Sequence, residues 1–152
     1  MKIILMYASM SGNTEEMSEI IQGRLSSKEV DVSMFQIDMD DIQVDDMLKY
    51  DAVIFGTYTW GDGDVPYELE DFYDDMESVN LTGLPVGLFG SCDSMYPAYG
   101  GAIDKFQERF KACGADVVVE SLKVELTPDS EDAERCSQFA ENFKSQIHVK
   151  IK

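Results

Sequence analysis

Ile3-Ile4-Leu5-Met6-Tyr7-Ala8-Ser9-Met10-Ser11-Gly12-Asn13-Thr14 opens the chain with an apolar run and a turn of small residues, and a helical pattern begins near Glu15. Strand, short hydroxyl-rich turn and helix in that order make an anion site in an α/β protein. The first N–H groups of a helix have no partner within it, and the helix dipole favours negative charge there. Ser9, Ser11 and Thr14 can add hydroxyls around a phosphate, and Gly12 lets the backbone come close or adopt positive φ. The turn holds no Lys or Arg, so it is not a nucleoside-triphosphate loop. It also lacks Gly-x-Gly-x-x-Gly, which argues against a dinucleotide pyrophosphate. One terminal monophosphate held by neutral groups is the better match. Read alone, Ser11, Asn13 or Thr14 also serves as a plain cap of the helix.

Composition narrows the classes. A chain of 152 residues with 44% hydrophobic content is read as one globular domain spanning 1–152. No apolar run approaches the roughly 20 residues of a membrane span. Met1-Lys2 leads straight into strand with no leader pattern, so a cytoplasmic location is expected. Cys92, Cys113 and Cys136 lie far apart, and His148 is the only histidine, which disfavours a disulfide framework, a zinc site or any other metal centre. The net charge is −18, and thirteen of those charges fall between Asp38 and Glu77, where fourteen acids face only Lys49. Such a field repels nucleic acid and anionic membranes and speeds encounter with basic partners, although any single acid is explained by solubility alone.

Hydrophobic periodicity organises the rest. Residues 2–8 read as a strand, and Met17, Ile20, Ile21 and Leu25 fall at helical spacing over 15–25. Residues 30–37 alternate, as in a half-buried edge strand, and a short helix is predicted near 45–49. Ala52-Val53-Ile54-Phe55-Gly56-Thr57 and Pro85-Val86-Gly87-Leu88-Phe89-Gly90 are continuous runs suited to central parallel strands. An acidic helix over 67–77 turns Leu69, Phe72, Tyr73 and Met76 inward. Another covers 102–113 on Ile103, Phe106 and Phe110, with Gly114 terminating it. Residues 117–126 read as the last strand without a long insertion, and 130–147 as the last helix, with Ala133, Cys136, Phe139, Ala140 and Phe143 on one face. This alternation predicts a doubly wound, five-stranded parallel α/β sheet of order 2-1-3-4-5, with helices on both faces. Its ligand belongs beyond the C-terminal strand ends, where the order reverses.

Three loops meet there, beginning at Ser9, Tyr58 and Ser91. The second follows Thr57 and reads Tyr58-Thr59-Trp60-Gly61-Asp62-Gly63; the third runs from Ser91 to Gly100 through Cys92, Asp93, Tyr96 and Tyr99. The only Trp of the chain sits in a Gly-rich loop, opposite two Tyr residues. Aromatics from two loops at one strand edge can sandwich a flat ring. Each piece alone is also read as local packing; the three together describe a planar heterocycle with a phosphorylated tail.

Ser9-Met10-Ser11-Gly12-Asn13-Thr14, Thr59-Trp60-Gly61-Asp62 and Asp93-x-x-Tyr96 resemble the flavin-mononucleotide loops of the flavodoxins, and the resemblance covers essentially the whole chain, in its short form. It implies that Ser9 to Thr14 wrap the FMN phosphate, Trp60 covers one face of the isoalloxazine and Tyr96 the other. Thr57, Tyr58, Thr59 and Tyr99 fall in the same loops. It implies that the Gly61 carbonyl flips to accept a hydrogen bond from the flavin, and that Ser91, Cys92 and Asp93 offer backbone N–H groups to the pyrimidine edge, closed by Gly100. Ser11 replaces the usual Thr, and Cys92 stands where Gly is common; a packing role is expected for Cys92, since no second Cys or His accompanies it.

The resemblance implies an electron-transport flavoprotein rather than an enzyme, an acidic one-electron carrier cycling between semiquinone and hydroquinone at low potential. Asp62, Asp64, Glu68 and Asp93, with no Lys or Arg near them in sequence, disfavour the reduced anion. The acidic surface would dock on a basic-surfaced flavoprotein reductase as donor and on a redox acceptor enzyme, the chain itself being a monomer. An FMN-dependent NAD(P)H or quinone reductase of the same fold is the main alternative, and needs room over the flavin that Trp60 and Tyr96 fill. A flavin-free receiver wants acids at Tyr7-Ala8 and Gly56-Thr57, and a phosphatase wants Cys and Arg in the first loop; neither is present.

Overall fold

Runs of Val, Ile, Leu and Phe with no polar interruption leave no solvated face, so the central strands of this chain require cover on both sides. The computed structural model describes residues 1–10, 12–59, 63–93, 100–125 and 127–151, with 148–151 as backbone. It supplies that cover. Strands β1 (Lys2–Tyr7), β2 (Asp31–Gln36), β3 (Ala52–Tyr58), β4 (Pro85–Cys92), β5 (Asp116–Val117) and β6 (Leu122–Glu125) form one parallel sheet. The order is β2-β1-β3-β4-β5, with β6 also on β4. Helices α1 (Asn13–Leu25) and α4 (Ser130–Ile151) pack on one face; α2 (Glu70–Asp75) and α3 (Gly101–Ala112) pack on the other.

Side chains of a strand alternate between faces, and the two core layers follow that period. Ile3, Leu5 and Tyr7 of β1 join Met17, Ile21, Phe139 and Phe143, whereas Ile4 and Met6 join Phe72, Phe106 and Phe110. The β2 edge is only half-buried, as its alternation predicts. In the central strands, two glycines make room for neighbours. A Cβ on Gly56 would lie 2.2 Å from the Phe89 ring, and one on Gly90 would lie 1.9 Å from the Thr57 carbonyl oxygen.

Several boundaries differ from the sequence reading. The strand expected over 117–126 is broken. Val117 pairs with Val86 and Leu122 with Phe89, so the edge uses five steps where β4 uses three. The surplus forms a bulge, and Val119 leans over Gly87 together with Phe139 and Phe143. The acidic helix over 67–77 is a 3₁₀ turn (Tyr67–Leu69), the short α2, and a second 3₁₀ turn (Met76–Ser78). Asp74, Asp75 and Glu77 crowd the negative end of that dipole, and no base sits in the last turn. The segment near 45–49 is a 3₁₀ helix over Val44–Lys49. Finally, β3 continues through Tyr58 and β4 through Cys92, because the ladder pairs Tyr58 with Ser91 and Cys92 with Glu125.

Candidate functional site

The C-terminal ends of β1, β3 and β4 stand side by side where the strand order reverses. Tyr7 pairs with Gly56, Thr57 with Gly90 and Tyr58 with Ser91, and the Ala8 N–H continues the ladder to the Gly56 carbonyl at 3.0 Å. The first loop leaves β1 here and enters α1 through Gly12, whose φ of 90° is the left-handed conformation that glycine tolerates. A side chain at Gly12 would meet nothing within 4 Å, so the turn is open above that point.

Ser9 Oγ accepts hydrogen bonds from the N–H of Gly12 at 3.1 Å and of Glu15 at 3.3 Å. The hydroxyl that ties down the helix entrance is therefore that of Ser9, while Gly12 at the cap position has no side chain to do so. Among the described residues the N–H groups of Asn13 and Thr14 keep no partner, and they are the donors available to an anion. Thr14 is buried, with Oγ1 at 2.9 Å from Ser91 Oγ, and its carbonyl accepts from the Ser18 hydroxyl at 2.8 Å. Asn13 Oδ1 accepts from the Thr127 hydroxyl at 3.2 Å. Met10 is exposed.

On the second loop, the side chains of Thr57 and Tyr58 are committed elsewhere. The Thr57 hydroxyl donates to the Tyr58 carbonyl at 2.8 Å, and the Tyr58 phenol donates to Glu68 Oε1 at 2.6 Å. Burial, then the Glu68 carboxylate, raises the Tyr58 pKa far above its ordinary value. Thr59 Oγ1 is buried and has no hydrogen-bond partner among the described residues. Gly63, with φ of 93°, seats the end of this loop on α3: a Cβ on Gly101 would lie 2.7 Å from Gly63 Cα.

The third loop starts at Asp93, which is half-buried and has partners of its own. Cys92 is buried, and desolvation pushes its thiol up to about 11, so it packs rather than reacts. Gly100 ends the loop with φ of 68°, and the Lys123 stem and Cys92 Sγ occupy the place of its missing side chain. Ser11, Trp60, Gly61, Tyr96 and Tyr99 lie outside the described residues.

The fold adds three residues that sequence neighbourhood does not indicate. Thr127 reaches Asn13 from the far strand end. Lys105 and Lys123, which no loop carries, approach the loops in space. Each is matched to an acid: Lys105 to Asp64 at 3.6 Å, Lys123 to Asp104 at 2.9 Å. Only the order of the last strand beside β4 could have placed Lys123 and Thr127.

The arrangement suits a phosphorylated flavin. Asn13 and Thr14 offer unpaired N–H groups, Thr59 offers a buried hydroxyl without a partner, and Gly12 leaves open space. The family model described as Flavodoxin matches residues 5–139. The chain belongs to the flavodoxin family. It is 42% identical to the probable flavodoxin 1 of Bacillus subtilis, with 97% of this chain and 98% of that protein covered. Oxidised flavodoxin 1 of Bacillus cereus superposes with a TM-score of 0.92 at 48% identity, covering 95% of this chain and 98% of that one. A flavodoxin of Streptococcus pneumoniae gives a TM-score of 0.89 at 37% identity, covering 95% and 99%. As a flavodoxin, the protein is an FMN-binding electron carrier that works with redox partners, and not an enzyme. Among the described residues no helix is long and apolar enough to cross a membrane.

Proposed function

We propose that residues 1–152 act as a single flavodoxin domain that carries electrons one at a time, at low potential, from a basic-surfaced flavoprotein reductase to an acceptor enzyme. In this reading the protein is a cytoplasmic monomer with no nucleic-acid or membrane partner. The observation that carries it is the Ser9–Thr14 turn, without Lys or Arg, at the strand-order reversal, set beside an acidic flank. FMN, when bound, supplies the one-electron redox chemistry. The residues supply position and electrostatics. Backbone N–H groups of Asn13 and Thr14, with hydroxyls of the Ser9–Thr14 turn and Thr59, hold the phosphate. Thr57, Tyr58 and Cys92, whose side chains are engaged elsewhere, contribute backbone groups only. Trp60, Gly61, Tyr96, Tyr99 and Gly100, with backbone N–H groups of Ser91 and Asp93, serve the ring. Asp64, Glu68 and Asp93 disfavour added negative charge there, and Lys105 and Lys123 are already matched to acids.

The test is stepwise anaerobic reduction followed by visible absorption. Accumulation of a one-electron-reduced species confirms the reading. Direct two-electron reduction, with steady NAD(P)H-dependent quinone turnover by the protein alone, overturns it in favour of a reductase. Trp60→Ala is expected to weaken FMN binding by about 1–3 kcal/mol, the scale of a lost buried aromatic, measured by fluorescence titration of the apoprotein.

A further inference from the structure

We infer that the Ser91 hydroxyl is a positioning group for phosphate recognition, holding the Thr14 hydroxyl so that its hydrogen points to the phosphate of the cofactor. The inference rests on the proposed placement of that phosphate at Ser9–Thr14. The two oxygens lie 2.9 Å apart, across 77 residues of sequence, with Thr14 1% and Ser91 7% exposed. Each hydroxyl owns one hydrogen and two acceptor lone pairs. In one arrangement Thr14 donates to Ser91 and shows only lone pairs to an anion, which repel it. In the other, Ser91 donates to Thr14 Oγ1, and the Thr14 hydrogen is left for the anion. A bound phosphate therefore selects the second arrangement, and donation from Ser91 strengthens the bond that Thr14 makes.

Nearby groups do not substitute for Ser91. The Ser18 hydroxyl is spent on the Thr14 carbonyl, and the Thr127 hydroxyl is spent on Asn13 Oδ1. Ser91 itself is fixed on a strand end, paired with Tyr58 and preceded by Gly90, which is pressed against the Thr57 carbonyl. A turn without Lys or Arg has only neutral donors, so the direction of one hydroxyl counts.

Phosphate selectivity follows. Apoprotein is titrated with FMN and with riboflavin, for wild type, Ser91→Ala, Thr14→Val and the double variant, with urea midpoints checking the fold. Ser91→Ala is expected to weaken FMN about tenfold and riboflavin by less than about twofold, a hydrogen bond to a charged group being partly lost. The double variant is expected to lose little more than Thr14→Val. Ser91→Cys, nearly isosteric but a weak donor, is expected to shift selectivity in the same direction and serves if Ser91→Ala folds poorly. If Thr14→Val loses selectivity and both Ser91 variants keep it, the positioning role is overturned and the phosphate placement stands. If Ser91→Ala weakens both flavins equally, Ser91 merely packs. If Thr14→Val also leaves the FMN to riboflavin ratio unchanged, the phosphate placement itself falls.

Discussion

Gly12 and Gly90 are both required, for opposite reasons. At Gly12 there is space for a side chain but φ is 90°, so Gly12→Ala is expected to cost about 1–2 kcal/mol through backbone strain alone. At Gly90 a Cβ would sit 1.9 Å from a carbonyl oxygen of the neighbouring strand, so Gly90→Ala is expected to cost about 3 kcal/mol or more. Urea midpoints of the apoproteins rank the two, and the reverse order would show that β4 yields easily. Two buried thiols make a second prediction at this scale. Desolvation pushes Cys92 and Cys136 from 9.0 up to about 11. The unfolded chain releases those protons first, so the contribution is intact below about pH 9 and is lost as pH rises towards about 11. Tyr7 and Tyr58 are raised too, adding in the same direction at higher pH. Measured from pH 8 to 11, the urea midpoint is expected to fall, and to fall less steeply in Cys136→Ala.

Between elements, burial rather than charge holds α4 in place. Phe143 is fully buried against β4, filling the space left by Gly87 with Phe139 and Val119. Phe143→Ala is expected to cost about 3–5 kcal/mol. Arg24 of α1 meets Glu141 of α4 at 3.0 Å, but the two side chains are 56% and 46% exposed. Arg24→Ala is expected to stay within about 1 kcal/mol of wild type. Chemical denaturation of both variants checks the contrast. The start and the apolar face of this helix were visible in its periodicity, whereas its continuation to Ile151 and the bulge it covers were not. Val117, Val118 and Val119 form a uniform apolar run, and only pairing with β4 decides which residues stay in the ladder. The acidic helix after the second loop was legible by its inward Leu69, Phe72 and Met76, but its splitting into short turns depends on end charges that periodicity does not weigh.

At the scale of the molecule, a net charge of −18 acts on stability and encounter together. Self-repulsion opposes the compact state, so the urea midpoint is expected to rise as monovalent salt screens it. The same screening is expected to slow reduction by a basic-surfaced reductase, since steering weakens over a shorter Debye length. Stopped-flow rates across ionic strength check this, and a rate independent of salt would remove the acidic flank from docking.

Strand order, the reversal point and the three loops followed from local properties: apolar runs, hydroxyl and glycine turns, and the period of each helix are carried by neighbouring residues. The hydroxyl pair of Thr14 and Ser91, the reach of Thr127 to Asn13 and the two lysines beside the loops depend on residues brought together from distant strands. So does the division of labour within the loops. Composition assigns Tyr58 and Cys92 to the loops, but both end their strands, where strand parity turns Tyr58 to Glu68 and buries the Cys92 thiol. Backbone and side-chain roles separate only when the pleat sets which way each residue faces, and the register of β3, β4 and β6 sets that pleat.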